Sequence, residues 1–87
     1  MRKRLHAALK AYFRAELLKA RTSLDLAQEE MAHLLDVSVR AYVALEGGKS
    51  CCGLITFLLF LHRGCPDPLS FLMGLFNMIE LSEQSIA

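Results

Sequence analysis

Eighty-seven residues are enough for one domain, expected to span 1–87, and leave no room for a second. A hydrophobic share of 54% is high for so small a chain and implies that part of the apolar surface is covered by self-association. The net charge of +1 is uninformative as a total, but residues 1–21 carry seven basic side chains and one acid, against three basic and eight acidic ones afterwards, which suits a basic patch near one end.

The first helix is predicted from about Arg4 to Arg21, with Leu5, Leu9, Tyr12, Phe13, Leu17 and Ala20 recurring every three or four residues as one apolar stripe. Thr22–Leu26 reads as a polar break whose leucines, Leu24 and Leu26, plug the core. A short second helix over Gln28–Leu35 buries Met31, Leu34 and Leu35 and carries Glu29 and Glu30 in its first turn, where the helix dipole favours acids. Ala27 is a weak N-cap for it, with no evident compensation unless the helix starts early and Asp25 serves as the cap.

After a tight connection at Asp36–Val37, Ser38 is expected to cap a third helix, Val39–Leu45, closed by Glu46–Gly47–Gly48. Ser50 is expected to cap a fourth, Cys51–His62. Asp67 and Pro68 form the start signal of a fifth, running to about Leu81. No stretch alternates with period two for long enough to make a sheet.

Several chemistries find no footing. Cys51, Cys52 and Cys65 are odd in number and two are adjacent, a poor disulfide framework, and they read as buried free thiols. His6, His33 and His62 fall on separate helices without ligand spacing, so no metal and no cofactor is called for. No nucleophile–base pair, glycine-rich phosphate loop or constrained carboxylate pair suggests an enzyme. The apolar run Leu54–Leu61 is shorter than the roughly 20 residues a membrane span needs, which leads to the expectation of a soluble, cytoplasmic protein without a membrane partner.

Two short helices joined by a tight turn are the physical form of the helix-turn-helix, in which the second helix enters the major groove N-terminus first. The residues Gln28–Glu29–Glu30–Met31–Ala32–His33–Leu34–Leu35–Asp36–Val37–Ser38, followed by Tyr42, Leu45, Glu46 and Gly48, closely resemble the Cro/repressor-type, xenobiotic-response-element-like helix-turn-helix family. That family's pattern is Gln-x-x-x-Ala-x-x-x-Gly-Val-Ser, a hydrophobic residue at the place of Tyr42, and Glu-x-Gly. The resemblance covers roughly residues 12–62 and implies an all-α, five-helix, repressor-like DNA-binding domain with a central helix-turn-helix. Departures are Asp36 in place of the turn glycine, Ala27 in place of a capping Thr or Ser, and small apolar groups on the recognition helix.

Ala32 has a physical role in this pattern, since a small side chain lets the third helix approach. Val37 plugs the core at the turn, and Tyr42 and Leu45 anchor the back of the recognition helix. The resemblance further implies a pairing of Arg21 with Glu46. It makes Gln28 a phosphate contact, Ser38 a cap that can also bond phosphate, and Val39, Arg40, Val43 and Ala44 the side chains facing base edges. Arg40 alone among these can bond guanine O6 and N7 bidentately, and Lys49 after the helix is a further phosphate contact.

The implied function is sequence-specific binding of double-stranded DNA as a dimeric, repressor-like transcriptional regulator. The alternative is a protein-interaction module on the same fold, antitoxin-like or a scaffold, whose partner is another protein. Dimerisation is expected through the C-terminal helix, 67–81, at Leu69, Leu72, Leu75, Phe76 and Ile79, because the fourth helix is apolar almost all round and an internal core needs only one stripe.

Overall fold

In a computed structural model that describes residues 2–84, the chain forms five α-helices, and no strand occurs among those residues. They are α1 (Arg2–Leu24), α2 (Gln28–Leu34), α3 (Val39–Glu46), α4 (Leu54–Leu59) and α5 (Pro68–Gln84). Helix α4 runs directly into a π-helical turn, Phe60–Gly64. The 23 residues of α1 make a rod of about 34 Å, most of the molecule's 42 Å long dimension. Helices α3 and α5 both pack on α1, whereas α2 lies between α3 and the π turn.

The first three helices stop by one device. At the end of α1 the Leu26 N–H donates to the Arg21 carbonyl at 3.0 Å and the Asp25 N–H to the Thr22 carbonyl at 3.1 Å, with Asp25 left-handed at φ 54°. After α2 the same pair of bonds runs from Val37 to Ala32 (3.0 Å) and from Asp36 to His33 (3.1 Å), with Asp36 at φ 57°. After α3 it runs from Lys49 to Ala44 (2.9 Å) and from Gly48 to Leu45 (3.1 Å), with Gly48 at φ 75°. These are Schellman closures, each satisfying carbonyls that a helix end leaves open. The residues that follow the two aspartates, Leu26 and Val37, turn inward against the core, the apolar contact that commonly completes this motif.

The starts of α2, α3 and α5 rest on side chains. Ser38 accepts from the Ala41 N–H at 3.0 Å and Asp67 from the Ser70 N–H at 3.1 Å, the two caps expected of them. At α2 the carboxylate of Glu30 takes the Ala27 N–H at 2.8 Å, the half of a capping box that needs no hydroxyl. That bond compensates for the missing side-chain cap at Ala27.

The core is built from Phe13, Leu17 and Ala20 of α1, Met31 and Ala32 of α2, Tyr42 and Leu45 of α3, with Leu35, Phe60 and Phe71. Phe60 and Phe71 both stand edge-on to Phe13, with centroids 5.2 and 6.1 Å away, and 5.2 Å from one another, the arrangement aromatic quadrupoles favour. Helix α5 sits close to α1 at Gly74, where a Cβ would fall 2.3 Å from the Tyr12 hydroxyl, itself donating to the Phe71 carbonyl at 2.7 Å.

Three expectations need correction. Helix α1 extends through Thr22–Leu24, because the break lies at Asp25; Leu24 is thereby left 41% exposed, and Leu26 alone of that pair joins the core. The fourth helix starts at Leu54, capped by Gly53 rather than by Ser50, and after Leu59 its hydrogen bonding shifts register, with the Cys65 N–H reaching the Phe60 carbonyl at 2.8 Å. Gly64 allows this turn to press on α2, since a Cβ there would meet the Met31 side chain at 3.1 Å. The cysteines are free but none is buried: Cys51 is exposed and Cys52 and Cys65 are half-buried. Helix α5 packs on α1 and leaves α4 largely uncovered, so Leu54, Ile55 and Leu58 stay more than half exposed.

Candidate functional site

The α2–α3 pair presents an outer face whose geometry follows from what is held on the inner one. Helix α3 is two turns long, and its apolar side chains Tyr42 and Leu45 point into the core. At 100° per residue this sends Val39, Arg40 and Val43 outward, and all three are exposed, with Ala44 half-buried at the edge. Lys49 is exposed just past the Gly48 closure. Ser38, the cap, is exposed at the start of the same face.

Glu46, the last residue of α3, is the hub that holds this helix. Its carboxylate accepts from Arg21 Nε at 2.9 Å and Nη2 at 3.1 Å, from Gln28 Nε2 at 3.2 Å and from the Tyr42 hydroxyl. The guanidinium forms the two-pronged bond to carboxylate that only arginine makes, and its Nη1 reaches the Leu26 carbonyl at 3.1 Å. One acid thus joins α1, α2 and α3. Burial works to raise the Glu46 pKa, but the bonds from Arg21, Tyr42 and Gln28 outweigh it and hold the carboxyl below its ordinary value. The Tyr42 phenol is pushed well above its usual range by burial and by its bond to that carboxylate, so it remains a donor.

A second cation clamps the same end. Arg14 Nε donates to the Glu46 carbonyl at 3.0 Å, and its stem lies against the Gly48 turn. A cation at a helix C-terminus complements the dipole there. Arg63 does the same for α2, reaching the Leu34 carbonyl at 3.3 Å.

The expected residues therefore separate. Ser38, Val39, Arg40, Val43, Ala44 and Lys49 share one side of α3 and its flanks, whereas Gln28 is half-buried and turned toward Glu46. Arg14 and Arg21 belong to the clamp rather than to a free basic surface. Arg2, Lys3 and Arg4 lie about 15–18 Å farther along α1 than Arg14. The acids Glu29 and Asp36 are exposed on α2 and the turn. Of the five residues expected at a self-association face, Leu69 (74%) and Phe76 (62%) stand in solvent; Leu72, Leu75 and Ile79 are half-buried, the first two against the chain's own core.

Three contributions to the site escaped sequence reasoning although a signal existed for each. Arg14 sits two helical turns before Arg21 and so on nearly the same side of α1. Tyr42 and Glu46 are four apart on α3, the spacing at which side chains meet. Glu30 stands at the third helical position of α2, where a carboxylate completes a cap. Among the described residues, no group of three or more His, Cys, Asp or Glu side chains is placed to hold a metal, and no helix is long and apolar enough to cross a membrane.

No family model, curated protein or solved structure matches this chain.

Proposed function

We propose that the chain binds double-stranded DNA in the manner of a helix-turn-helix repressor, with α3 as the recognition helix, and acts as a homodimer rather than as an enzyme. The observation that carries this reading is the division of α3 into two faces. The inner face is fastened at its far end through Glu46 to both neighbouring helices, and the outer face is left open with Arg40 at its centre. A recognition helix must be rigid relative to its scaffold and free toward the groove, since base contacts discriminate only when the side chain is pre-positioned.

In this reading Arg40 bonds a guanine edge, and Val39 and Val43 pack on thymine methyls. Ser38 and Lys49 meet phosphates on either side. Gln28 spends one amide hydrogen on Glu46 and keeps its second for a phosphate. Arg2, Lys3 and Arg4 reach a phosphate outside the groove. Two copies paired through Leu69 and Phe76 of α5 would set their recognition helices about 34–36 Å apart on one side of the duplex.

Fluorescence anisotropy of labelled genomic fragments at about 50 mM salt tests it, with affinity expected to fall steeply as salt rises because counterions are released. Arg40→Ala is expected to cost about 1–3 kcal/mol of discrimination at one base position, whereas Gln28→Ala weakens every sequence alike. Absence of binding to any fragment would reject the DNA reading. The exposure of Val39 (44%) and Val43 (43%) would then favour a protein partner on the same face, the module reading.

A further inference from the structure

An open apolar cleft of about 440 Å³ lies between the N-terminal half of α1, the Cys51–Phe57 segment and α5. Its size is that of a small-molecule site. Phe13, Phe57 and Phe71 line it together with Leu9, Leu54 and Leu75. The walls are pre-formed: Phe13 and Phe71 are core residues, and Tyr12, also on the lining, is tied to the Phe71 carbonyl.

One cation gives the cleft a sign, and an imidazole beside it adds a hydrogen-bonding group. His6 and Lys10, one turn apart on α1, both border it. The Lys10 side chain makes no hydrogen bond or ion pair among the described residues, and no Asp or Glu lines the cleft. A half-buried cation at the edge of an apolar cleft favours a ligand that brings a negative charge and hydrocarbon together.

We propose that this cleft binds a small amphiphilic carboxylate, its hydrocarbon against Phe13, Phe57 and Phe71 and its head group at Lys10 and His6. The site is separate from the outer face of α3. It also does not require self-association through Leu69 and Phe76, neither of which lines it.

The three cysteines supply a built-in readout. Cys51 and Cys52 line this cleft, while Cys65 borders a different and smaller one of about 140 Å³, beside Pro66 and Asp67. Alkylation of the full chain by iodoacetamide, a neutral reagent, is followed at each cysteine by mass spectrometry. Decanoate is the probe, with decanol and decyltrimethylammonium as controls, all below micelle formation.

Decanoate at about four times its Kd is expected to slow Cys52 about fivefold, with Cys65 unchanged and the ammonium surfactant giving no protection. Lys10→Gln and Lys10→Glu should both remove the advantage of decanoate over decanol while leaving the thermal melt of the free protein in place. Four results would each overturn the proposal: no protection at Cys51 and Cys52, equal protection at Cys65, equal protection by the ammonium surfactant, or protection that grows with protein concentration alone. The last would give the cleft to a second copy of the chain.

Discussion

Removing only the hydroxyl of Tyr42 tests whether Glu46 organises the three helices that carry the proposed recognition face. Tyr42 is fully buried, and its hydroxyl donates to a carboxylate that also receives Arg21 twice and Gln28 once. Hydrogen bonds to charged groups contribute about 1.5–3 kcal/mol. In Tyr42→Phe the carboxylate keeps its other three donors and the phenyl ring keeps its packing, so a loss near 2 kcal/mol is expected. At roughly 5 °C per kcal/mol for a domain of this size, the melting temperature should fall by about 10 °C.

Acid supplies the second half of the test. Because the folded Glu46 pKa is lowered, its stabilisation is present above the unfolded carboxylate value of about 4.3 and is lost as pH falls through the folded value. The gap between wild type and Tyr42→Phe should therefore be full at neutral pH and narrow once Glu46 protonates. Circular dichroism melts at a series of pH values measure both effects. A fall of less than about 3 °C, or a gap that does not narrow in acid, would show that the Tyr42–Glu46 bond does not carry this load.

Asp36 should respond with opposite signs to two small substitutions, because its φ of 57° is left-handed: Asp36→Gly is expected to stabilise by about 0.5 kcal/mol and Asp36→Ala to destabilise by about 1 kcal/mol, read from urea midpoints at unchanged m-value. Gly74→Ala is expected to break the bond from Tyr12 to Phe71 and speed amide exchange in α5. In a Tyr12→Phe background, where the obstructing oxygen is gone and the nearest ring carbon lies 3.2 Å from the added Cβ, the same change should cost less than in the wild type. Sedimentation equilibrium at micromolar concentration should give a mass above the 9.7 kDa of one chain; Phe76→Glu should restore the single-chain mass and Val43→Glu should not, and the reverse pattern would move the interface to α3.

Much of the architecture was legible along the chain because it is written in neighbouring residues. Five helices follow from apolar spacing, and the starts of α3 and α5 follow from Ser38 and Asp67–Pro68, since a cap is a contact over three residues. The stop after α3 follows from Gly48. The pairing of Arg21 with Glu46 was expected from family resemblance, and the atoms meet as that resemblance implied. Which face of α3 would be open could also be read, because a helix that buries Tyr42 and Leu45 must turn Arg40 away from them.

The tertiary structure alone decided what depends on residues far apart. Asp36 stands at the place of a turn glycine and so already points to a left-handed backbone, whereas Asp25 looks like an ordinary polar position; both take that conformation because the chain behind them must return an apolar residue to the core. Arg14 looks like solvated charge and instead ends on α3, 32 residues away. The same holds for the shift of α4 into a π turn, which lets Gly64 meet α2, and for the direction of α5. Composition shows that apolar surface is in excess, but not where it remains. Packing α5 on α1 leaves Leu54, Ile55 and Leu58 outside and opens the cleft beside Lys10. Local propensity acts over a few residues, whereas the choice between two apolar faces is made by the shape of what each would meet.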